Sequence, residues 1–189
     1  MRIKFRLKHA LLSAVSVFLI LFCVWFWYVF VGGNFFTVLD GELYRSAQPA
    51  PEVIEQKHEK YGIKTIINLR GARPNKQWYK EELAVSERLG IAHYDFQWSS
   101  RNQPPVDDMK RFVETVRNAP KPILIHCMGG SDRTGLATAL YMYAVKNENP
   151  DKSREENLSL WYGHFPYLGI KSGAMEDAFN VYSGITPQN

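Results

Sequence analysis

Read for polarity alone, the chain divides into two unlike parts. From Ala10 to Val31 runs an apolar stretch of 22 residues with no charged side chain. As a helix at about 1.5 Å per residue it is about 33 Å long, enough to cross a bilayer. Beyond Asn34 the apolar positions fall into short segments with two different periods, and each period predicts an element.

Two short strands, 35–39 and 42–46, are expected to form a hairpin through Asp40-Gly41, a strong turn dipeptide. Pro49 and Pro51 then prime a helix over 51–61 that Gly62 ends. A β-branched strand over 64–69 leads through a polar loop into a helix over 76–89, with Trp78, Leu83, Val85 and Leu89 as its apolar positions and Gly90 as its stop. Alternation of Ala92, Tyr94, Phe96 and Trp98 with polar residues makes 91–98 a strand with one exposed face, placed near a sheet edge. A loop over 99–105, a helix over 106–118 and a buried strand over 122–127 follow. A helix then runs from about 134 to 147, and two more are expected over 151–162 and 170–182, separated by Gly163-His164-Phe165-Pro166.

Strands that alternate with helices predict an α/β domain, a central, mostly parallel sheet flanked by helices, preceded by one N-terminal transmembrane helix. In such sheets ligands bind beyond the carboxyl ends of the strands. Arg70, Trp98 to Arg101 and Cys127 all follow strand ends and are therefore expected to meet at one pocket.

Charge refines the picture at the N-terminus. The chain of 189 residues has 23 Lys+Arg against 19 Asp+Glu, a net charge of +4. Arg2, Lys4, Arg6 and Lys8 precede the apolar run, whereas its far flank, Gly32-Gly33-Asn34, is uncharged. That asymmetry predicts a cytoplasmic flank (1–9), a signal anchor (10–31) in the inner, cytoplasmic membrane, and a single-pass chain whose domain (35–186) is extracytoplasmic, in the periplasm. A cleaved signal peptide is the competing reading, but the run exceeds the 7–15 residues of an h-region and lacks a small-residue cleavage site. The remaining domain is near neutral, with no basic tail, so nothing calls for nucleic acid. Of the two cysteines, Cys23 lies in the apolar run and Cys127 alone in the domain, so no disulfide is expected within it.

Chemistry concentrates at 121–135, KPILIHCMGGSDRTG. The strand delivers His126-Cys127 to a loop with Gly129 and Gly130. The loop closes at Arg133, and a helix starts near Thr134. Such a loop can turn successive backbone N–H groups inward on one small anion, and the helix N-terminus adds its unpaired N–H groups and positive dipole end. Negative charge is favoured there, which suits a thiolate at Cys127, while Arg133 offers a planar fork for two phosphate oxygens.

His126 to Gly135 resembles the H-C-x5-R-[S/T]-G signature of the cysteine-dependent protein tyrosine phosphatase superfamily. Tyr44-Arg45-Ser46-Ala47-Gln48-Pro49 and Lys64 to Arg70 are similar to motifs of its compact, atypical dual-specificity branch, and the combined likeness covers 38–145. The resemblance implies a phosphatase acting on phosphotyrosine and on phosphoserine or phosphothreonine, in a protein or a small phosphomonoester. Cys127 would be the nucleophile, and the backbone from Met128 through Gly129, Gly130, Ser131 and Asp132 to Arg133 would cradle the phosphate. Thr134 would hydrogen-bond the thiolate or its leaving group, and His126 would orient the loop. No metal or other cofactor is expected, because the loop and Arg133 supply the positive charge.

The family's general acid is an aspartate about 30 residues before the cysteine, and Asp95 has that spacing but lies inside a predicted strand, on its solvent side. Asp107, just after the Pro104-Pro105 loop, is the first choice, and Asp132, within the cradle, the second. Arg45 and Arg70 would recruit anionic substrate, and the aromatic group Trp161, Tyr162, His164, Phe165 and Tyr167 would pack as core. Three other readings stand beside this one: a phosphoinositide or inositol phosphate phosphatase, an inactive phosphate-binding module, and a rhodanese-like sulfur carrier.

Overall fold

In the computed structural model, which describes residues 2–166 and 173–185, the strand-like segments become β1 (Phe36–Leu39), β2 (Leu43–Ser46), β3 (Thr65–Asn68), β4 (Ala92–Asp95) and β5 (Ile123–His126). They form one sheet in the order β1-β2-β5-β3-β4. The hairpin pair β1–β2 is antiparallel, and the other three pairings are parallel. The register sets Ser46 level with His126, His126 with Asn68, and Asn68 with Asp95. Four strands thus end in one row, and the loops leaving that row build the site.

The helices are α1 (Arg2–Phe30), α2 (Pro51–Tyr61), α3 (Gln77–Arg88), α4 (Val106–Asn118), α5 (Asp132–Ala144), α6 (Pro150–Asn157) and α7 (Gly173–Ser183). Side-chain alternation sends β-strand residues to opposite faces. Leu43, Ile67, Ile123 and Ile125 join Phe112, Leu136, Leu140 and Phe179 in one core, under α4, α5 and α7. Tyr44, Ile66 and Leu124 meet Ile54, Val85 and Ile91 in the other, under α2 and α3. The expected α/β architecture is present, with β4 at the sheet edge, where Tyr94 is the exposed side chain and His93 turns in towards Glu82. In α4, Met109, Phe112, Val113 and Val116 make the stripe that fits it to its core.

Three local expectations are corrected. The helix expected over 151–162 breaks after Asn157 into a separate 3₁₀ turn, Leu160–Tyr162. Asn157 gives its carbonyl to the Arg45 guanidinium, at 3.0 Å, and not to a further helical turn. The helix after the loop stops at Ala144, short of Asn147, whose φ is +55°. The buried stripe of α3 is Tyr79, Glu82, Val85 and Ser86, and Leu83 faces out. That face turns inward because Glu82 has polar partners beneath it. The segment 167–172, with Tyr167 and the expected start of the last helix, lies outside the described residues.

Within α1, Leu11–Phe30 is long and apolar enough to cross a membrane, with mean hydropathy 2.3. Its end is attached to the domain. Val29 is buried, and Trp25 Nε1 donates to the carbonyl of Trp161 at 3.0 Å.

Candidate active site

The loop from Cys127 to Arg133 is held open from behind. The carbonyl of Met128 accepts from Gln48 N at 3.2 Å. That of Gly129 accepts from Asn34 Nδ2 at 2.9 Å, and that of Gly130 from Arg45 Nη2 at 2.9 Å. A peptide whose C=O is taken on one side presents its neighbour's N–H on the other, so the curl exposes donors to the interior. One already finds a partner: Gly130 N–H points at Cys127 Sγ from 3.2 Å. Gly130 must be glycine. Its φ is +73°, and a Cβ would come within 2.6 Å of Ala47 N and 2.7 Å of Ser46 C, both main-chain atoms that cannot yield.

Cys127 is nearly buried at the base of a cleft of about 250 Å³ lined also by Phe30, Ser100, Met128, Asp132 and Arg133. Arg133 extends from the first turn of α5 across the strand ends, where its Nη1 donates to the carbonyls of Leu69 (3.4 Å) and Trp98 (3.3 Å). The arginine thus ties together the loops after β3, β4 and β5, but of the residues expected to meet at one pocket only Ser100 and Cys127 line this cleft, and Arg70 does not. Arg133 Nε and the buried Thr134 hydroxyl have no hydrogen-bond partner among the described residues. The contact expected from Thr134 to the thiolate is not made.

Arg70 stacks on Trp78, 3.8 Å from the ring centroid, and donates to Gln48 Oε1 at 2.9 Å. Burial, then the charge of Arg133, lowers its pKa, while Glu82 and Cys127 oppose the shift. Arg45 is a different case. The sequence suggests a substrate-facing cation, but the guanidinium is fully buried behind the loop. It lies 3.8 Å from the Tyr162 ring centroid and donates to Thr138, Asn157, Gly130 and Ser131. Burial brings its pKa down to about 10, so it stays charged. Arg45 is the brace of the cradle and cannot touch substrate.

A second polar network lies under the strand ends. Glu82 is 2.8 Å from His93 Nε2 and 3.2 Å from His126 Nε2. Burial by itself would raise its carboxyl, but the two imidazoles outweigh that and hold it at about 2. His126 is wholly buried within this network, which fits a loop-orienting role. The sequence could have signalled Glu82, since an acid on the apolar stripe of α3 is out of place unless paired.

The three acid candidates separate. Asp107 sits on the first turn of α4 with its side chain 94% exposed, paired with Lys110 at 3.3 Å, and does not line the cleft. Asp95 is tied to Asn68 Nδ2 at 2.7 Å and to the Tyr79 hydroxyl, not turned to solvent. Asp132 lines the cleft, and its Oδ1 is 2.7 Å from Nδ1 of the buried His164. His164 is therefore a site residue that patterning placed among packing aromatics. Of that group, Tyr162 packs on Arg45 and Phe36, Phe165 stacks with Phe30, and Trp161 is 60% exposed.

The family described as DSP-PTPase phosphatase fused to NAD+ kinase matches residues 37–163. The human dual specificity protein phosphatase CDC14C is 30% identical over 95 residues, 50% of this chain and 20% of that protein. The Saccharomyces cerevisiae inositol diphosphatase SIW14 is 33% identical over 105 residues, 53% of this chain and 36% of that protein. The chain thus spans about a fifth to about a third of the length of these relatives. Among solved structures, Pseudomonas aeruginosa TpbA superposes with a TM-score of 0.60 at 17% identity, covering 82% of this chain and 91% of that one. The catalytic core of the S. cerevisiae PP-IP phosphatase SIW14, in complex with citrate, gives 0.59 at 26% identity, covering 82% and 94%.

Proposed function

Because the chain belongs to the family of DSP-PTPase phosphatases fused to NAD+ kinase, within the cysteine-based tyrosine and dual-specificity phosphatase superfamily, we propose that it hydrolyses phosphomonoesters through a phosphocysteine intermediate. The observation that carries this reading is the Gly130 N–H aimed at Cys127 Sγ, in a loop whose Met128, Gly129 and Gly130 carbonyls are engaged from behind.

The Cys127 thiolate attacks phosphorus, and an S–P bond forms as the bond to the ester oxygen breaks. That oxygen keeps the electron pair and takes a proton from Asp132. Water then attacks phosphorus and gives its proton to the Asp132 carboxylate, and S–P cleavage returns the thiolate and releases phosphate. Arg133 and the backbone N–H groups of Met128 to Arg133 hold the equatorial oxygens through both steps. Asp132 takes the acid's place because it lines the cleft, whereas Asp107 points to solvent.

The cradle recognises the phosphate itself, so phosphotyrosine, phosphoserine and phosphothreonine are all candidate esters. A phosphotyrosine complex of TpbA is in keeping with the first. A second reading, an inositol phosphate, is favoured by the 33% identity to SIW14. In this proposal α1 anchors the chain in the inner membrane, with residues 1–9 cytoplasmic and the phosphatase domain, 35–186, on the far side. Turnover of aryl phosphate, phosphotyrosine, phosphoserine and inositol phosphate by the purified chain tests the activity. Phosphate binding with no turnover of any of them would make it a binding module instead.

A further inference from the structure

The junction between α1 and the domain bears on where the phosphorylated group comes from. Phe30, the last residue of α1, lines the same cleft as Cys127 and Arg133. Beside it Val29 is buried against Gly163, where a Cβ would come 2.8 Å from Val29 Cγ1 and 3.3 Å from the Phe30 ring. Asn34, only four positions beyond the helix, donates to the carbonyls of Gly129 and Tyr162 at 2.9 and 3.0 Å. No free linker separates helix from cradle, because the end of α1 and Asn34 pack directly on the loop and on Tyr162-Gly163.

Depth then follows from length. The 20 apolar residues Leu11–Phe30, at about 1.5 Å each, match a hydrocarbon core of about 30 Å. Once they span it, Phe30 falls at the boundary between acyl chains and headgroups, and the cleft that it lines opens among the headgroups. The surface around that cleft agrees. Met128 in the loop is 66% exposed, and Leu160 and Trp161 beside the helix are each 60% exposed. Bare apolar side chains next to a membrane helix, a tryptophan among them, suit the interfacial zone better than open water.

We infer that the substrate is a phosphomonoester carried on a lipid of the membrane that α1 spans. The terminal phosphate enters the cradle, and the acyl part stays in the leaflet beside Phe30, Leu160 and Trp161. This rests on the phosphocysteine reading above and uses the same steps, the ester oxygen leaving as a lipid alcohol. A protein-borne phosphate would have to be brought down to the bilayer surface, whereas a lipid is concentrated there already, on the surface to which the enzyme is tethered.

The test uses the full chain in phosphatidylcholine nanodiscs, which leave both faces open. The probes are phosphatidate or a phosphoinositide in the disc, and in solution glycerol 3-phosphate, a phosphotyrosine peptide and an activated aryl phosphate. The expected result is a kcat/KM for one of the disc-borne lipids at least about tenfold above that for glycerol 3-phosphate and for the peptide. The double substitution L160S/W161S is expected to lower the lipid rate about tenfold and leave the aryl phosphate rate unchanged, because neither side chain touches the cradle. Equal rates on lipid and soluble ester, a preference for the peptide, or a lipid rate indifferent to L160S/W161S would overturn the lipid assignment while the phosphatase stands. Absence of Cys127-dependent turnover on the aryl phosphate would remove both.

Discussion

His164 Nδ1 stands 2.7 Å from Asp132 Oδ1, with the imidazole wholly buried and the carboxylate at the edge of the cleft. The contact joins the first turn of α5 to the segment after the 3₁₀ turn and fixes the direction of an acid that would otherwise be an ordinary helix-start aspartate. Asp132→Asn is expected to slow aryl phosphates with poor leaving groups by about 10²-fold and to leave activated ones nearly untouched. A good leaving group departs without a proton, so only poor ones register the loss. Asp107→Asn and Asp95→Asn should show no such dependence. If the Brønsted slope of all three variants equals that of the unaltered protein, no carboxylate acid serves the leaving group.

Cys127→Ser should reduce turnover below about one per cent, because the serine hydroxyl is not ionised at neutral pH, while phosphate or vanadate binding persists on the backbone and Arg133. Arg133→Lys should also fail, since an ammonium keeps the charge but loses the two-pronged fit, at about 3 kcal/mol in the transition state. Steady-state rates and vanadate titration of each variant check both outcomes.

Arg45→Met replaces the brace with an apolar side chain of similar reach and leaves the carbonyls of Gly130 and Asn157 without their guanidinium donor, while that of Ser131 keeps Gly135 N–H. Unpaired buried acceptors cost about 1–3 kcal/mol each, so a loss of about 3 kcal/mol and a fall in Tm of about 6–12 °C are expected. Thermal unfolding measures the loss. Phosphate binding should weaken with it, although Arg45 never meets the ligand.

Glu82 predicts an acid limb of stability. Its folded pKa, about 2, lies below the ordinary 4.5, so its contribution is complete above about pH 4.5 and disappears as the pH falls towards 2. The full effect is about 3 kcal/mol. Glu82→Gln should flatten that part of the stability curve between pH 5 and 2, read by denaturant unfolding at successive pH values. A variant that keeps the wild-type slope would assign the acid limb to other carboxylates.

The proposed orientation of α1 predicts that a reporter active only in the periplasm, fused after residue 189, is active, and that a reporter requiring the cytoplasm is silent. The basis is four cations before the span and none just after it. The reverse pattern would place the domain on the cytoplasmic side.

Local pattern was enough for much of this protein. The β-branched run before His126, the glycines and the helix start after Arg133 fix a strand-loop-helix cradle within one stretch, because backbone geometry there depends on near neighbours. The stripe in α4 gave a buried face, since a period of 3.6 reports on burial, but the alternation along 91–98 failed within β4, where Tyr94 is exposed and His93 is held against the buried Glu82. What distant segments do to one another was decided in three dimensions. Arg45 looks like a surface charge in the chain, and only the packing of α5 and α6 makes it a brace, while Glu82 is marked by its place on a helix stripe but owes its partners His93 and His126 to the fold. Asp107, Asp95 and Asp132 are alike as carboxylates, and the fold alone turns the first to solvent, ties the second into the sheet edge and leaves the third beside the thiol with His164 behind it. The end of α1 carries no motif at all. Its place in the cleft follows from a short connection and a handful of contacts to 161–165, which link parts of the chain more than 130 residues apart.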